Sequence, residues 1–115
     1  MKYYLAIDIG ASSGRHIIGY KDENSNIKME EIYRFKNGVV KQNNHLIWDI
    51  DYLFKEIKEG IKIAINKYQN IESLSIDTWG VDYVLLQNDI TVNTQFTEGN
   101  LAEIRKNNLI SNKFI

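Results

Sequence analysis

The stretch Asp8-Ile9-Gly10-Ala11-Ser12-Ser13-Gly14-Arg15 gathers residue types that handle phosphate. Small residues let backbone N–H groups come close to an anion, and successive N–H groups can form a nest around it. Ser12 and Ser13 add hydroxyl donors. Arg15 adds a planar cation suited to phosphate oxygens. Asp8 ends an apolar run and offers a carboxylate to Mg²⁺ through water, because Mg²⁺ keeps several waters and takes few carboxylates. The stretch is neither G-x-x-x-x-G-K-[ST] nor a G-x-G-x-x-G that opens a helix. Gly and Ser also fill ordinary turns for backbone reasons, so spacing alone divides evenly between a hairpin loop and a phosphate cradle.

A second group is Asp77-Thr78-Trp79-Gly80-Val81-Asp82. Its carboxylates could accept bonds from a polyol, its indole could stack on C–H faces, and its glycine admits a close ligand. The other reading is a structural turn with a packed tryptophan, which the residues alone favour because Trp buries a large area. In His45-Leu46-Ile47-Trp48-Asp49-Ile50-Asp51, His45 and Asp49 are metal-capable. The chain has only 2 histidines, and the other, His16, falls in a strand. Without His₂-carboxylate spacing, the stretch reads as a capped helix entrance. A Ser-His-Asp triad is rejected, since no serine is marked as activated.

The elements that position these groups follow from periodicity. Tyr3 to Ile9 reads as a mostly apolar strand, buried on both faces. Gly10 to Gly14 turns the chain, and Arg15 to Tyr20 returns antiparallel. Lys21 to Asn26 is a polar turn. Ile27 to Phe35 is a third strand with apolar positions Ile27, Met29, Tyr33 and Phe35. Ile32 breaks that alternation, which implies a bulge. After a turn at Asn37-Gly38, His45 to Trp48 is a short extended piece. Asp49 to Gln69 is the best helix, with Ile50, Leu53, Phe54, Ile57, Ile61, Ile65 and Tyr68 on one stripe. Asp49 or Asp51 caps its start, and Gly60 is kept for close packing.

Ser73 to Asp77 and Val81 to Gln87 are strands. Val92 to Ile115 has few apolar residues, with a weak helix near Glu98 to Asn107. Three strands, a helix and two strands suit an α/β mixed sheet with the helix on one face. The helix serves as a right-handed crossover to Ser73–Asp77 as a parallel strand.

Composition bounds the rest. The 115 residues are 43% hydrophobic and 25% charged, as in a globular domain. A net charge of −1 supplies no basic field for nucleic acid or an anionic membrane. With 0 cysteines, disulfides and thiolate metal sites are excluded. No apolar run approaches the ~20 residues of a membrane helix, and no signal-peptide pattern opens the chain. The expectation is a soluble, cytoplasmic protein.

"AIDIGASSGR", "RFKNGVVKQNNHLIWDID" and "SIDTWGVDYVLL" stand in order between Leu5 and Leu86. Together they resemble the N-terminal part of rhamnulokinases, in the FGGY group of carbohydrate kinases. The resemblance implies a ribonuclease H-like core of the actin/hexokinase type and ATP-dependent phosphorylation of L-rhamnulose at its 1-hydroxyl. Its cofactors would be ATP and Mg²⁺. By the same resemblance, Ala11, Ser12, Ser13, Gly14 and Arg15 match the ATP-contacting loop and Asp8 the acidic Mg²⁺ position. Gly80 matches a sugar-contacting position, with Trp79 and Asp82 beside it.

The match also fails in part. Family members are several times longer, and the segment ending Tyr-Arg-Asp-Ser-Arg does not follow Leu86. The general base is expected beyond Ile115. Residues 1–90 therefore read as a partial, truncated kinase N-terminal domain and residues 91–115 as a divergent tail. The chain alone is expected to be inactive as a kinase. The alternative is a non-catalytic phosphate-binding or interaction module that associates through an exposed sheet edge.

Overall fold

Strand β1 (Tyr3–Ile9) alternates in burial: Leu5, Ile7 and Ile9 are buried, whereas Tyr4 and Ala6 are exposed. A computed structural model describes residues 1–80, 85–87 and 90–93 of the chain. β1 pairs antiparallel with β2 (Ser13–Lys21), which pairs antiparallel with β3 (Ile27–Lys36). Helix α1 (Ile50–Lys67) follows, and β6 (Ile71–Thr78) then pairs parallel to β1. The four-stranded sheet has the order β3-β2-β1-β6. These elements make up one compact unit, Met1–Gly38 with Asp51–Trp79.

The second unit takes Val39–Ile50 and the chain from Gly80 onward. In it, β4 (Val39–Gln42) and β5 (His45–Trp48) form a hairpin. Asn43 and Asn44 turn it with φ of 50° and 64°, the left-handed pair of a type I′ turn. β7 (Leu85–Gln87) pairs antiparallel with β8 (Ile90–Asn93). The expected strand at His45–Trp48 is present, but its partner β4 was not anticipated. The weak helix near Glu98–Asn107 lies outside the described residues.

The core of the first unit is Leu5, Ile7, Ile9, Ile18 and Ala64, flanked by Leu53, Ile57, Ile61 and Tyr68 of the helix segment. The helix thus packs on one face of the sheet, although Leu74 and Ile76 of β6 on that face stay 43% and 49% exposed. The expectation that β1 is buried on both faces is corrected, since α1 is the only helix among the described residues. The helical stripe is also narrower than expected. Phe54 and Ile65 are 57% and 58% exposed. Each sits about 100° around the helix from a core-facing neighbour, Leu53 or Ala64.

The bulge at Ile32 is present: His16 pairs with Tyr33, but Ile17 pairs with Glu31. It reverses which side the strand's residues face. After it, Tyr33 and Phe35 face α1. Before it, Ile27 and Met29 face away and are 73% and 76% exposed, so they are not the core positions expected. Glu30 instead faces the helix and bonds Lys67 and Tyr68. Tyr33 donates to Glu56, whose carboxylate pushes the phenol's pKa up to about 12. An open depression of about 550 Å³ lies over Tyr4, Gly19, Ile27 and Met29, at the strand ends remote from the β1–β2 loop.

His16 is completely buried on the helix side. Its Nε2 lies 3.0 Å from the Ile57 carbonyl oxygen, which fixes Nε2 as the protonated nitrogen. Nδ1 has no partner among the described residues. The ring occupies the space a side chain at Gly60 would need: an added Cβ would stand 2.2 Å from His16 Nε2. Close packing therefore explains this mid-helix glycine, as expected. Among the described residues, no helix is long and apolar enough to cross a membrane.

Two outcomes follow from this contact. Gly60→Ala gains about 1 kcal/mol of helix propensity, but overpacking against the ring costs roughly 1–3 kcal/mol. The denaturation midpoint should fall, and a rise would show that the ring can move aside. Burial also holds the His16 pKa below its ordinary 6.5. The unfolded chain takes up a proton near pH 6.5 and the folded chain only at lower pH, so stability is complete above pH 6.5 and declines below it. Urea midpoints across this range, with the ring titrated by NMR, check this; a His16 titrating at or above 6.5 contradicts it.

Candidate functional site

The β1–β2 hairpin carries the first group of sequence-predicted residues. Its register sets Asp8 opposite Arg15 and Ile9 opposite Gly14. The Gly10 N–H donates to the Ser13 carbonyl at 2.9 Å, leaving Ala11 and Ser12 at the tip. No residue of this loop has positive φ, so its N–H groups are presented by a turn rather than by αR–αL alternation. Asn37 braces the loop from the end of β3. Its N–H donates to the Ser12 carbonyl at 3.0 Å, and its Nδ2 donates to the Gly10 carbonyl at 2.8 Å.

Gly14 is buried, and the Phe35 ring stands 2.1 Å from where its Cβ would be. Aromatic packing on the helix side therefore accounts for this glycine. Ala11, Ser12 and Arg15 are exposed. Arg15 donates to Asp8 Oδ2 from Nε at 2.9 Å, and its Nη2 lies 2.9 Å from the same oxygen. The two side chains are 44% and 45% exposed.

Their neighbours extend a charged row along the face away from α1. Asp77 of β6 is the register partner of Asp8, and Arg34 of β3 is the partner of Arg15. Arg34 donates from Nε and Nη2 to the two oxygens of Glu31 at 2.7 and 2.8 Å. That bidentate contact lowers the Glu31 pKa and raises that of Arg34. Arg34 Nη1 reaches Ser13 Oγ at only 3.4 Å. The oxygen donors of Asp8 and Asp77 fit a hard cation such as Mg²⁺, which takes one or two carboxylates and keeps waters. Among the described residues, no group of three His, Cys, Asp or Glu side chains could hold a metal by itself.

The second group is only partly brought into view. Trp79 packs against the core of the first unit, as the structural reading of that turn required. A Cβ on Gly80 would meet no described residue within 4 Å. Asp82 lies outside the described residues. His45 is exposed in β5, and Asp49 directly precedes α1 at the capping position. Sequence reasoning missed Asn37. Its Asn-Gly dipeptide signalled a turn, and nothing in the spacing tied it to a loop 27 residues upstream.

Comparison with known proteins covers most of the chain. No family model matches the chain. The rhamnulokinase of Oceanobacillus iheyensis is 54% identical over 88 residues, covering 75% of this chain and 18% of that protein. The rhamnulokinase of Mannheimia succiniciproducens is 52% identical over 82 residues, 70% of this chain and 17% of that protein. Over the matched residues, this is a rhamnulokinase-like sequence. The chain spans less than a fifth of the length of these relatives, 17–18%.

Among solved structures, a ligand-bound xylulose kinase from Lactobacillus acidophilus matches with a TM-score of 0.68 at 13% identity. It covers 95% of this chain, which in turn covers 23% of that kinase. A gluconate kinase from the same organism also gives a TM-score of 0.68 at 13% identity, covering 94% of this chain and 22% of that kinase. The fold is therefore the actin/hexokinase type of the FGGY sugar kinases, as the sequence resemblance implied.

Asn37→Ala should loosen the β1–β2 loop. Losing the bond to Gly10 is expected to lower stability by about 1 kcal/mol. Hydrogen exchange should quicken at Gly10, Ala11 and Ser12 more than in the strand centres. Unchanged protection at the loop would show that the brace is dispensable.

Proposed function

We propose that the β1–β2 hairpin is the phosphate-binding wall of a rhamnulokinase. The whole protein's reaction would be ATP-dependent phosphorylation of L-rhamnulose to L-rhamnulose 1-phosphate. The observation that carries this reading is the hairpin register. It stands Arg15 beside Asp8 at the mouth of a tight loop of small residues, within a stretch similar to rhamnulokinases.

In this reading Ala11, Ser12, Ser13 and Gly14 keep the loop small, and the loop's backbone meets the nucleotide phosphates. Arg15 supplies the planar cation. Asp8, with Asp77 beside it, would hold Mg²⁺ through water, and the bound ion would neutralise phosphate charge. Gly80, Trp79 and Asp82 would meet the sugar. ATP as the proposed co-substrate supports a cytoplasmic location.

Phosphoryl transfer depends on positioning and on charge stabilisation from all sides of the nucleotide. The described residues supply one wall, and the chain covers 18% of its relatives' length. The 115-residue chain by itself is therefore proposed to bind phosphate without turning over sugar. Two measurements on that chain test the reading. Arg15→Ala should weaken ATP binding about tenfold or more, the loss expected for a charge-assisted bond. Equal affinity in both proteins would remove Arg15 from the site. A coupled assay with L-rhamnulose and MgATP should show no turnover, and measurable turnover would overturn the proposed inactivity.

A further inference from the structure

We propose that the Asp8–Arg15 pair is a latch, so that the site takes a divalent cation and a polyphosphate together and resists either one alone. This rests on the phosphate-site reading above. Arg15 directs both Nε and Nη2 at a single oxygen of Asp8, each at 2.9 Å. The cation-binding group and the anion-binding group are therefore each other's partner. A polyphosphate that engages the Arg15 fork must displace Asp8. It then leaves that carboxylate beside Asp77, its register neighbour, with a new anion close by. A cation that engages Asp8 must displace Arg15, and so leaves that guanidinium beside Arg34.

The neighbours take up the released charge only in part, through the longer-range attraction of Arg34 for Asp8 and of Glu31 for Arg15. Arg34 is held by both oxygens of Glu31, at 2.7 and 2.8 Å. For Arg34 to turn to Asp8, or Glu31 to Arg15, that bidentate contact must break. Once the latch is open, the row Asp77, Asp8, Arg15, Arg34, Glu31 is fully compensated only with both ligands present: a cation at the acidic end and an anion on Arg15. Each ligand thus removes the penalty the other faces, and such coupling is reciprocal by thermodynamic necessity. Both side chains of the latch are nearly half exposed, so the coupling belongs at the low end of the usual range, about fivefold.

Simple repulsion between Asp8 and an anion would also favour added cation, so the test separates the two through Asp77. The 115-residue chain and its Asp8→Asn, Asp77→Asn and Arg15→Ala variants are titrated by calorimetry with inorganic tripolyphosphate. One series contains chelator and the other saturating Mg²⁺. Circular dichroism confirms the fold of each variant. The natural chain should bind about fivefold tighter with Mg²⁺. Asp8→Asn should bind about fivefold tighter than the natural chain in chelator and gain nothing from Mg²⁺. Asp77→Asn should strengthen metal-free binding by no more than about twofold, since it eases the repulsion on the freed Asp8 but leaves the latch closed.

A second readout needs no variant. In ¹⁵N correlation spectra of the natural chain, Mg²⁺ alone should move the Arg15 Nε–H signal toward its position in free arginine. The proposal is overturned if Mg²⁺ leaves that signal and the tripolyphosphate affinity unchanged, or if Asp8→Asn and Asp77→Asn strengthen metal-free binding equally. Absence of tripolyphosphate binding in every protein, or unaltered binding by Arg15→Ala, overturns the phosphate-site reading itself and this proposal with it.

Discussion

The pleat of β1 decides where everything chemical in this protein points. Ile7 and Ile9 are buried under α1, so Asp8 between them must face the other side. Arg15, its antiparallel partner, faces that side too. Magnitudes show which effect leads. Burying an isoleucine side chain is worth roughly 1.5–3 kcal/mol, while a surface ion pair is worth about 0–1 kcal/mol. Hydrophobic burial therefore orients the ion pair, not the reverse. The result is a sheet with two jobs, one face packed on a helix and the other carrying a row of charge.

The bulge in β3 makes the second face work. Glu31 and Arg34 are three residues apart, which in a regular strand puts them on opposite sides. The extra residue at Ile32 brings both onto the charged face, where Arg34 is engaged by Glu31. The same extra residue sends Glu30 and Tyr33 together toward the helix. One irregularity thus serves both faces.

Much of this was legible in the sequence. The strands of the four-stranded sheet, the hairpin loop, the bulge at Ile32, the helix and the reason for Gly60 all follow from periodicity and residue size, whereas β4 and β8 do not. The misses share a physical cause, which is that periodicity reports a pattern but not a partner. Ile27 and Met29 alternate as core residues do, yet the bulge beyond them sets their side. Phe54 and Ile65 lie on the apolar stripe, but the sheet is reached only by its centre. The brace from Asn37 is a long-range contact with no local signature. The Asp8–Arg15 pair lay closer to hand: a tight hairpin with Gly10 against Ser13 pairs those two positions at once.

The helix is tied to β3 near both ends. Tyr33 holds Glu56 in its first half, while Glu30 holds Lys67 and Tyr68 at its last turn. Such fastenings resist sliding along the helix axis. The chain reaches β6 only a few residues later, and the Tyr3 N–H donates to the Asn70 carbonyl at 2.9 Å on the way. The axial seat of the helix therefore sets the starting point of β6 and so its alignment on β1. A slip of one residue would carry Asp77 to the opposite face and bring Ile76 or Thr78 beside Asp8. Fastenings at the far end of the helix thus act as the gauge that keeps the two carboxylates side by side.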